Sequence, residues 1–261
     1  MPIPQIVITM AGFGRRFLDA GYYLPKYRLQ AHGRSLFSWS LSSLTSFIEN
    51  GSPVVFIGRQ DDSSRTFIAS EAARIGLRGW QLVEITSPTD GQATTVLHAA
   101  PLLEADKSLL IYNIDTYVEA HALPHTAMHG DGWIPCFPGL GEGWSFARTE
   151  DDSERVVEVR EKKRISPHAS IGLYGFRSYA LYAELYAEFY RSSARMEAGE
   201  RYIAPIYNTL IARGGTVFMH PVPLEAVYPI GTPEEYRAFS AHVPRSSFKA
   251  GCHGTRTSDT R

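Results

Sequence analysis

The sequence predicts an α/β protein, and three observations carry that expectation. Short apolar runs of strand length alternate with stretches of helical period along most of the chain. Hydrophobic side chains make up 44% of the 261 residues, enough to bury one sizeable core. A glycine-rich turn follows the first apolar run directly. Strands are expected near residues 5–10, 53–58, 81–85, 108–114, 144–149, 155–160, 170–176 and 216–222, and helices near 35–49, 63–76, 92–105, 179–195 and 203–213. Phe37, Leu41, Leu44 and Ile48 share one face of the first of these helices and read as core. A single catalytic unit over residues 1–243 is expected. A tail over 244–261, rich in Ser, Thr, Arg and Gly, is expected to be disordered.

Taken in order, Gln5-Ile6-Val7-Ile8-Thr9-Met10 reads as a buried strand and delivers Ala11-Gly12-Phe13-Gly14-Arg15-Arg16. Gly12 and Gly14 permit φ > 0, which lets successive backbone N–H groups converge on an anion, and Arg16 and Lys26 add positive charge. The combination reads as a polyphosphate cradle, with an ordinary glycine turn as the alternative. Two better-known glycine motifs fail on spacing. A dinucleotide fingerprint would need glycine where Phe17 stands, and a P-loop needs four residues between its glycines and a Gly-Lys-Ser/Thr ending.

Further along, Thr89-Asp90-Gly91-Gln92-Ala93-Thr94-Thr95 is a turn opening a helix. Leu109 to Asn113 is an apolar strand that delivers Asp115 at its carboxyl end, where ligands of open α/β sheets sit. Arg155 to Lys163 alternates as a strand and then presents Glu161 beside Lys162 and Lys163, which composition alone would read as a solvated charge run. The run Ser166 to Phe176 follows with Gly172. Arg201-Tyr202-Ile203-Ala204-Pro205-Ile206-Tyr207-Asn208 opens a helix, and Gly231-Thr232-Pro233 starts another, with Thr232 as cap and Pro233 at its first position.

In this order, from Ile6 to about Phe239, these segments resemble the sugar-phosphate nucleotidyltransferase family, the pyrophosphorylases that make activated sugars and related groups. That resemblance implies a three-layer α/β/α, Rossmann-like fold around a mixed, mostly parallel sheet. It implies nucleotide contacts from Ala11, Gly12, Gly14, Arg15, Gly91, Gln92 and Asn113, a Mg²⁺ held by Asp115, and acceptor contacts from Glu161, Lys162, Gly172 and Tyr202. Arg16, Lys26, Asp115 and Lys162 would carry the catalysis. A glutamine amide offers both donor and acceptor, so Gln92 does not by itself name the base. Mg²⁺ usually takes one or two carboxylates and fills its shell with water and substrate phosphate.

Two departures from the family pattern stand out. Arg15 occupies a position where the family prefers a small hydroxyl residue. Pro229 occupies the place of a second metal-binding aspartate, so Glu225 substitutes, or Asp115 suffices with phosphate oxygens, or catalysis is impaired. The segments look most like the small capsule and surface-polysaccharide branch. The implied reaction moves an NMP group from a nucleoside triphosphate to a sugar 1-phosphate or a phosphoglutamine-like acceptor and releases pyrophosphate. CTP is favoured, with UTP or GTP open. The rivals are a glycosyltransferase, for which Asn113-Ile114-Asp115 supplies only one acid of a D-x-D pair, and a catalytically silent nucleotide-binding protein.

A formal charge of −1 gives no global basic field for nucleic acid. No run reaches the roughly 20 apolar residues of a membrane span, and no charged-then-apolar leader precedes the first strand, so a cytoplasmic protein is expected. Cys136 and Cys252 are too isolated for a disulfide framework or zinc site. His121, His125 and His129 have metal-ligand spacing, but Pro124 and Gly130 point to a short helix or loop. The stripe of Tyr179, Tyr182, Tyr186 and Tyr190 reads as buried or as a subunit interface, which leaves a homo-oligomer open.

Overall fold

The computed structural model of the chain describes residues 3–192, 195–197, 199–242 and 244. Apart from Pro244, the tail expected over 244–261 lies outside them, as does Cys252. The strands are β1 (Gln5–Thr9), β2 (Gln30–Ala31), β3 (Arg34–Ser35), β4 (Val54–Arg59), β5 (Gln81–Ile85), β6 (Leu109–Asn113), β7 (Thr116–Val118), β8 (Gly132–Pro138), β9 (Ser145–Thr149), β10 (Val156–Glu161), β11 (His168–Ser170), β12 (Leu173–Phe176), β13 (Val217–Pro221) and β14 (Val227–Pro229). The α-helices are α1 (Arg15–Asp19), α2 (Leu36–Ser42), α3 (Thr45–Glu49), α4 (Ser64–Ile75), α5 (Gln92–Leu97), α6 (Tyr179–Phe189), α7 (Tyr207–Ala212) and α8 (Pro233–Ala241).

Among the described residues the main sheet runs β10-β9-β11-β8-β12-β6-β1-β4-β5, with β13 beside β8. The β6-β1-β4-β5 run is parallel, and β12 joins it antiparallel to β6. A short β14-β7 ribbon lies apart from it. Because successive strand residues face opposite sides, the unbroken apolar run of β1 feeds two cores. Ile6 and Ile8 pack with Phe37, Leu41 and Phe56 on one side. Val7 packs with Val55, Ile111, Tyr182 and Tyr207 on the other. Helices on both faces of one mixed sheet make the expected three-layer α/β/α fold. Tyr182, Tyr186 and Tyr190 are all buried in the second core.

Several element boundaries differ from expectation for local reasons. The helix over 35–49 is two helices, α2 and α3, broken in a serine-rich stretch where the Ser43 hydroxyl accepts from the Val118 amide at 2.9 Å. The helix over 92–105 ends at Leu97, and Pro101 lies in a separate 3-10 turn, Ala100–Leu102. Helix α6 stops at Phe189, short of residue 195. The helix over 203–213 begins as a 3-10 turn around Pro205. The strand over 170–176 is split by Gly172 at φ +80°. Strand β8 has no counterpart in the sequence reading: Pro135 and Pro138 disguise it, yet it is buried over Gly132–Phe137 and paired with β11, β12 and β13. His121 and His125 lie in two separate 3-10 turns, with the His129 ring against Phe218. Among the described residues no group of three or more His, Cys, Asp or Glu could hold a metal, and no helix is long and apolar enough to cross a membrane.

Candidate active site

The glycine turn leaves the carboxyl end of β1 and runs into α1. Gly14 caps that helix in the left-handed region at φ +62°. Gly12 was expected to share this geometry but does not have positive φ; its side stays open, with nothing within 4 Å of where a Cβ would stand. Neither backbone conformation nor a close contact within the chain therefore calls for glycine at 12. Phe17, in the place that excluded a dinucleotide fingerprint, anchors α1 in a third apolar cluster with Trp39, Tyr117, Ile230 and Phe239. Ala11 is half-buried, whereas Arg15 and Arg16 are exposed on α1. The Arg15 guanidinium lies 5.9 Å from the centre of the Phe13 ring.

Lys26 opens a 3-10 turn behind Pro25, held by the buried Tyr27. Its ammonium is 3.1 Å from Asp115 Oδ2. Asp115 sits between β6 and β7, where the Tyr112 hydroxyl donates to the Thr116 carbonyl at 2.7 Å and the Ile230 amide donates to the Asp115 carbonyl at 2.9 Å. The glycine turn of the Gly231-Thr232-Pro233 motif packs directly on this aspartate: a Cβ on Gly231 would stand 3.1 Å from that of Asp115. Thr232 and Glu235 form a capping box at the start of α8 that fixes the turn.

Beside this pair, the Gln92 amide donates to Thr9 Oγ1 at 3.1 Å and to Asn113 Oδ1. Thr9 and Asn113 are register partners at the ends of adjacent parallel strands, which is why α5, β1 and β6 converge there. Gly172 closes over Asn113, with a Cβ position 3.0 Å from Asn113 Nδ2. Gly91, at φ +143°, has Arg201 backbone where a Cβ would be, 2.4 Å from both its N and O. That face of the glycine thus accommodates the protein's own backbone, not a ligand.

A third group lies at the end of β10. Lys162 takes the left-handed conformation at φ +49°, rare for a side-chain-bearing residue. Its amide donates to the Trp144 carbonyl at 2.9 Å, and its ammonium donates to the Tyr202 hydroxyl and lies 4.4 Å from that ring's centre. Glu161 is buried and accepts from the Ser145 hydroxyl on β9, which also meets the Tyr174 hydroxyl at 3.2 Å. Burial pushes the Glu161 carboxyl above its ordinary range, opposed by the Ser145 hydrogen bond and by Lys162. Burial likewise raises the Tyr202 phenol, so it stays protonated at neutral pH.

The fold thus brings the expected residues into three adjoining groups. Lys26 meets Asp115, Gln92 meets Asn113 beneath Gly172, and Lys162 meets Tyr202 beside Glu161. The described contacts do not join Arg15 or Arg16 to them. Three residues escaped the sequence reading: Thr9, Ser145 and Arg201. Each gains its place from a neighbour distant in sequence, and only the position of Arg201 before Tyr202 gave any hint of it.

Of the possible answers to Pro229, the strand register argues against one. Pro229 pairs with Thr116, whereas Glu225 lies beyond Val227, which pairs with Val118. At about 3.3 Å per residue the ribbon spans roughly 7 Å from Pro229 to Val227, and Glu225 lies two residues further on, in the 3-10 turn Leu224–Ala226, so the register carries it away from Asp115. The single carboxylate is still a fitting donor set for Mg²⁺ that shares its shell with substrate phosphates.

No protein-family model matches the chain, and no curated protein does. Solved structures do. The nucleoside-diphosphate-sugar pyrophosphorylase from Vibrio cholerae RC9 is 36% identical, with a TM-score of 0.85 over 91% of this chain and 100% of that one. The inositol-1-phosphate CTP transferase from T. maritima is 15% identical with a TM-score of 0.72, over 90% of this chain and 92% of its own. The UDP-glucose pyrophosphorylase from Acinetobacter baumannii is 13% identical with a TM-score of 0.67, over 90% and 91%. The latter two share the fold, while the Vibrio protein matches in sequence along its whole length, and the chain belongs to the sugar-phosphate nucleotidyltransferase family.

Proposed function

We propose that the protein transfers a nucleoside monophosphate from a nucleoside triphosphate to a phosphorylated acceptor and releases pyrophosphate. The observation that carries this reading is the 3.1 Å contact of Lys26 with Asp115, beside the Gln92, Thr9 and Asn113 cluster at the carboxyl ends of β1 and β6. A phosphate oxygen of the acceptor attacks the α-phosphorus in line. The bond from that phosphorus to the bridging oxygen breaks, and pyrophosphate leaves with the electron pair. An ionised phosphate is already a nucleophile at neutral pH, so the chain's work is positioning and charge neutralisation.

In this scheme Gly12, Gly14, Arg16 and Lys26 receive the leaving pyrophosphate, with Ala11 and Arg15 as further nucleotide contacts beside them. Lys162, oriented by Tyr202, holds the acceptor phosphate, and Glu161 and Gly172 border the acceptor. Asp115 would hold a Mg²⁺, which when bound neutralises phosphate charge. The Gln92 amide hydrogens are engaged by Thr9 and Asn113, so it offers a base its acceptor oxygen. That suits the N–H edge of cytosine, uracil or guanine.

We propose CTP as the donor, with UTP and GTP as competitors, and a place in capsule or surface-polysaccharide synthesis. The cytoplasm, where nucleoside triphosphates are held, is the proposed compartment. The T. maritima relative is a CTP transferase and the Acinetobacter one a UDP-glucose pyrophosphorylase. The acceptor is a sugar 1-phosphate or a phosphorylated non-sugar. The test incubates the protein with each of CTP, UTP, GTP and dTTP, Mg²⁺ and a panel of phosphorylated acceptors, and measures pyrophosphate. One productive combination is expected, and Asp115→Ala should lower its rate by about 10²-fold or more, the scale of a preorganised charge-stabilising group. Nucleotide binding without pyrophosphate on any acceptor would instead support a silent nucleotide-binding protein.

A further inference from the structure

The base loop is held from outside itself, and one residue does most of the holding. The Arg201 amide donates to the Asp90 carbonyl at 2.8 Å, and its carbonyl accepts from the Ala93 amide at 3.0 Å. Its guanidinium lies 3.0 Å from the Asp90 carboxylate and donates to the Tyr186 hydroxyl at 2.6 Å. It also lies 5.2 Å from the centre of the Tyr190 ring. Tyr186 is buried on α6, and its hydroxyl meets Thr94 of the same loop at 2.8 Å. The loop itself contains Gly91 in a backbone region that side chains rarely adopt. Its geometry therefore depends on the element packed against it.

We propose that the Arg201 guanidinium is the positioning group for base recognition: by bridging the Asp90 carboxylate to Tyr186 of α6 it fixes the loop its main chain already pairs with, so that Gln92 stands at the ends of β1 and β6. This rests on the nucleotidyltransferase reading above. Arginine suits the task because its planar fork can engage a carboxylate and a phenol together, whereas a lysine ammonium is a single point of charge. The clamp acts on the base end of the nucleotide, through Gln92 and its partners Thr9 and Asn113. The triphosphate end lies at the glycine turn and Lys26, which Arg201 does not support.

The two ends can be separated by experiment. Calorimetry on the full chain with Mg²⁺ would compare the four nucleoside triphosphates with inorganic tripolyphosphate, which has the phosphates but no base. Arg201→Met should weaken the preferred nucleotide by about tenfold or more, equivalent to about 1.4 kcal/mol, while tripolyphosphate binding changes by less than about twofold. Arg201→Lys should fall between. Thermal melting checks that each variant is folded. Should Arg201→Met not fold, Tyr186→Phe removes the α6 anchor alone and should give a smaller loss of the same selective kind. Unchanged nucleotide affinity, or equal losses for nucleotide and tripolyphosphate, would overturn the clamp while leaving the proposed activity intact. If the wild-type protein binds neither ligand, the nucleotidyltransferase reading fails and the clamp with it.

Discussion

Replacing Lys26 by methionine separates what its ion pair does for stability from what it does for the reaction. The ammonium is 3.1 Å from Asp115 Oδ2, but the two side chains are 24% and 32% exposed. At about 4 Å and an effective dielectric of about 20, the gross attraction between such charges would be about 4 kcal/mol. Water at this site screens it, and measured pairs of this kind contribute about 0–1 kcal/mol net. Methionine keeps the aliphatic stem, so little packing is lost. The expected cost in folding is below about 1 kcal/mol, a fall of no more than roughly 2–4 °C in Tm for a chain of this size. The effect on chemistry should be larger, because a charge aimed at the leaving phosphates is used most in the transition state. Losing one such donor costs about 10²–10³ in rate, or about 3–4 kcal/mol. Differential scanning fluorimetry and a pyrophosphate-release assay on one preparation provide both numbers. A variant within about threefold of wild-type turnover, or one whose lost activity is matched by an equal loss of folded protein, would refute this account of Lys26.

Two further predictions test the neighbouring groups. Gly91→Ala places a Cβ 2.4 Å from backbone atoms of Arg201 at φ +143°; backbone strain of about 1–3 kcal/mol and a similar overpacking term give a cost of about 2–6 kcal/mol, to be read by urea denaturation, and a change below about 0.5 kcal/mol would show that the loop yields freely. Glu161 has a folded-state pKa raised by burial, so between its ordinary value and the raised one the native state binds more protons than the unfolded chain. Its contribution is therefore most favourable below the ordinary carboxylate range and is lost as pH rises through the folded-state pKa. Glu161→Gln should remove that slope, so the wild-type minus variant stability difference should fall as pH rises from about 4.5 upward; a difference independent of pH would count against a buried, raised carboxyl.

Much of the site was legible because its residues are carried in local patterns. A strand running into Gly12 and Gly14, or an apolar run ending at Asp115, is recorded in consecutive residues, and the Gly231-Thr232-Pro233 turn announced its own helix cap. Patterning failed where a residue's state depends on a distant partner. Strand β8 is buried in spite of two prolines because β11, β12 and β13 flank it, and the long first helix divides where Ser43 serves Val118. Gly12 and Gly91 looked alike as loop glycines. Their surroundings differ completely, open space at one and the Arg201 backbone at the other.

The sequence by itself determined the α/β class, the order of the strands and helices that carry the candidate site, and the residues proposed for it, because period, turn chemistry and charge are properties of neighbouring residues. Tertiary structure alone decided that Lys26 meets Asp115 across 89 positions, that Glu225 lies further along the β14-β7 ribbon from it, that Ser145 accompanies Glu161 into the interior, and that Arg201 grips the loop of Asp90 to Ala93. Those pairings arise when two cores close on opposite faces of one sheet. The pleat then assigns each side chain its face, and the strand register assigns its partner.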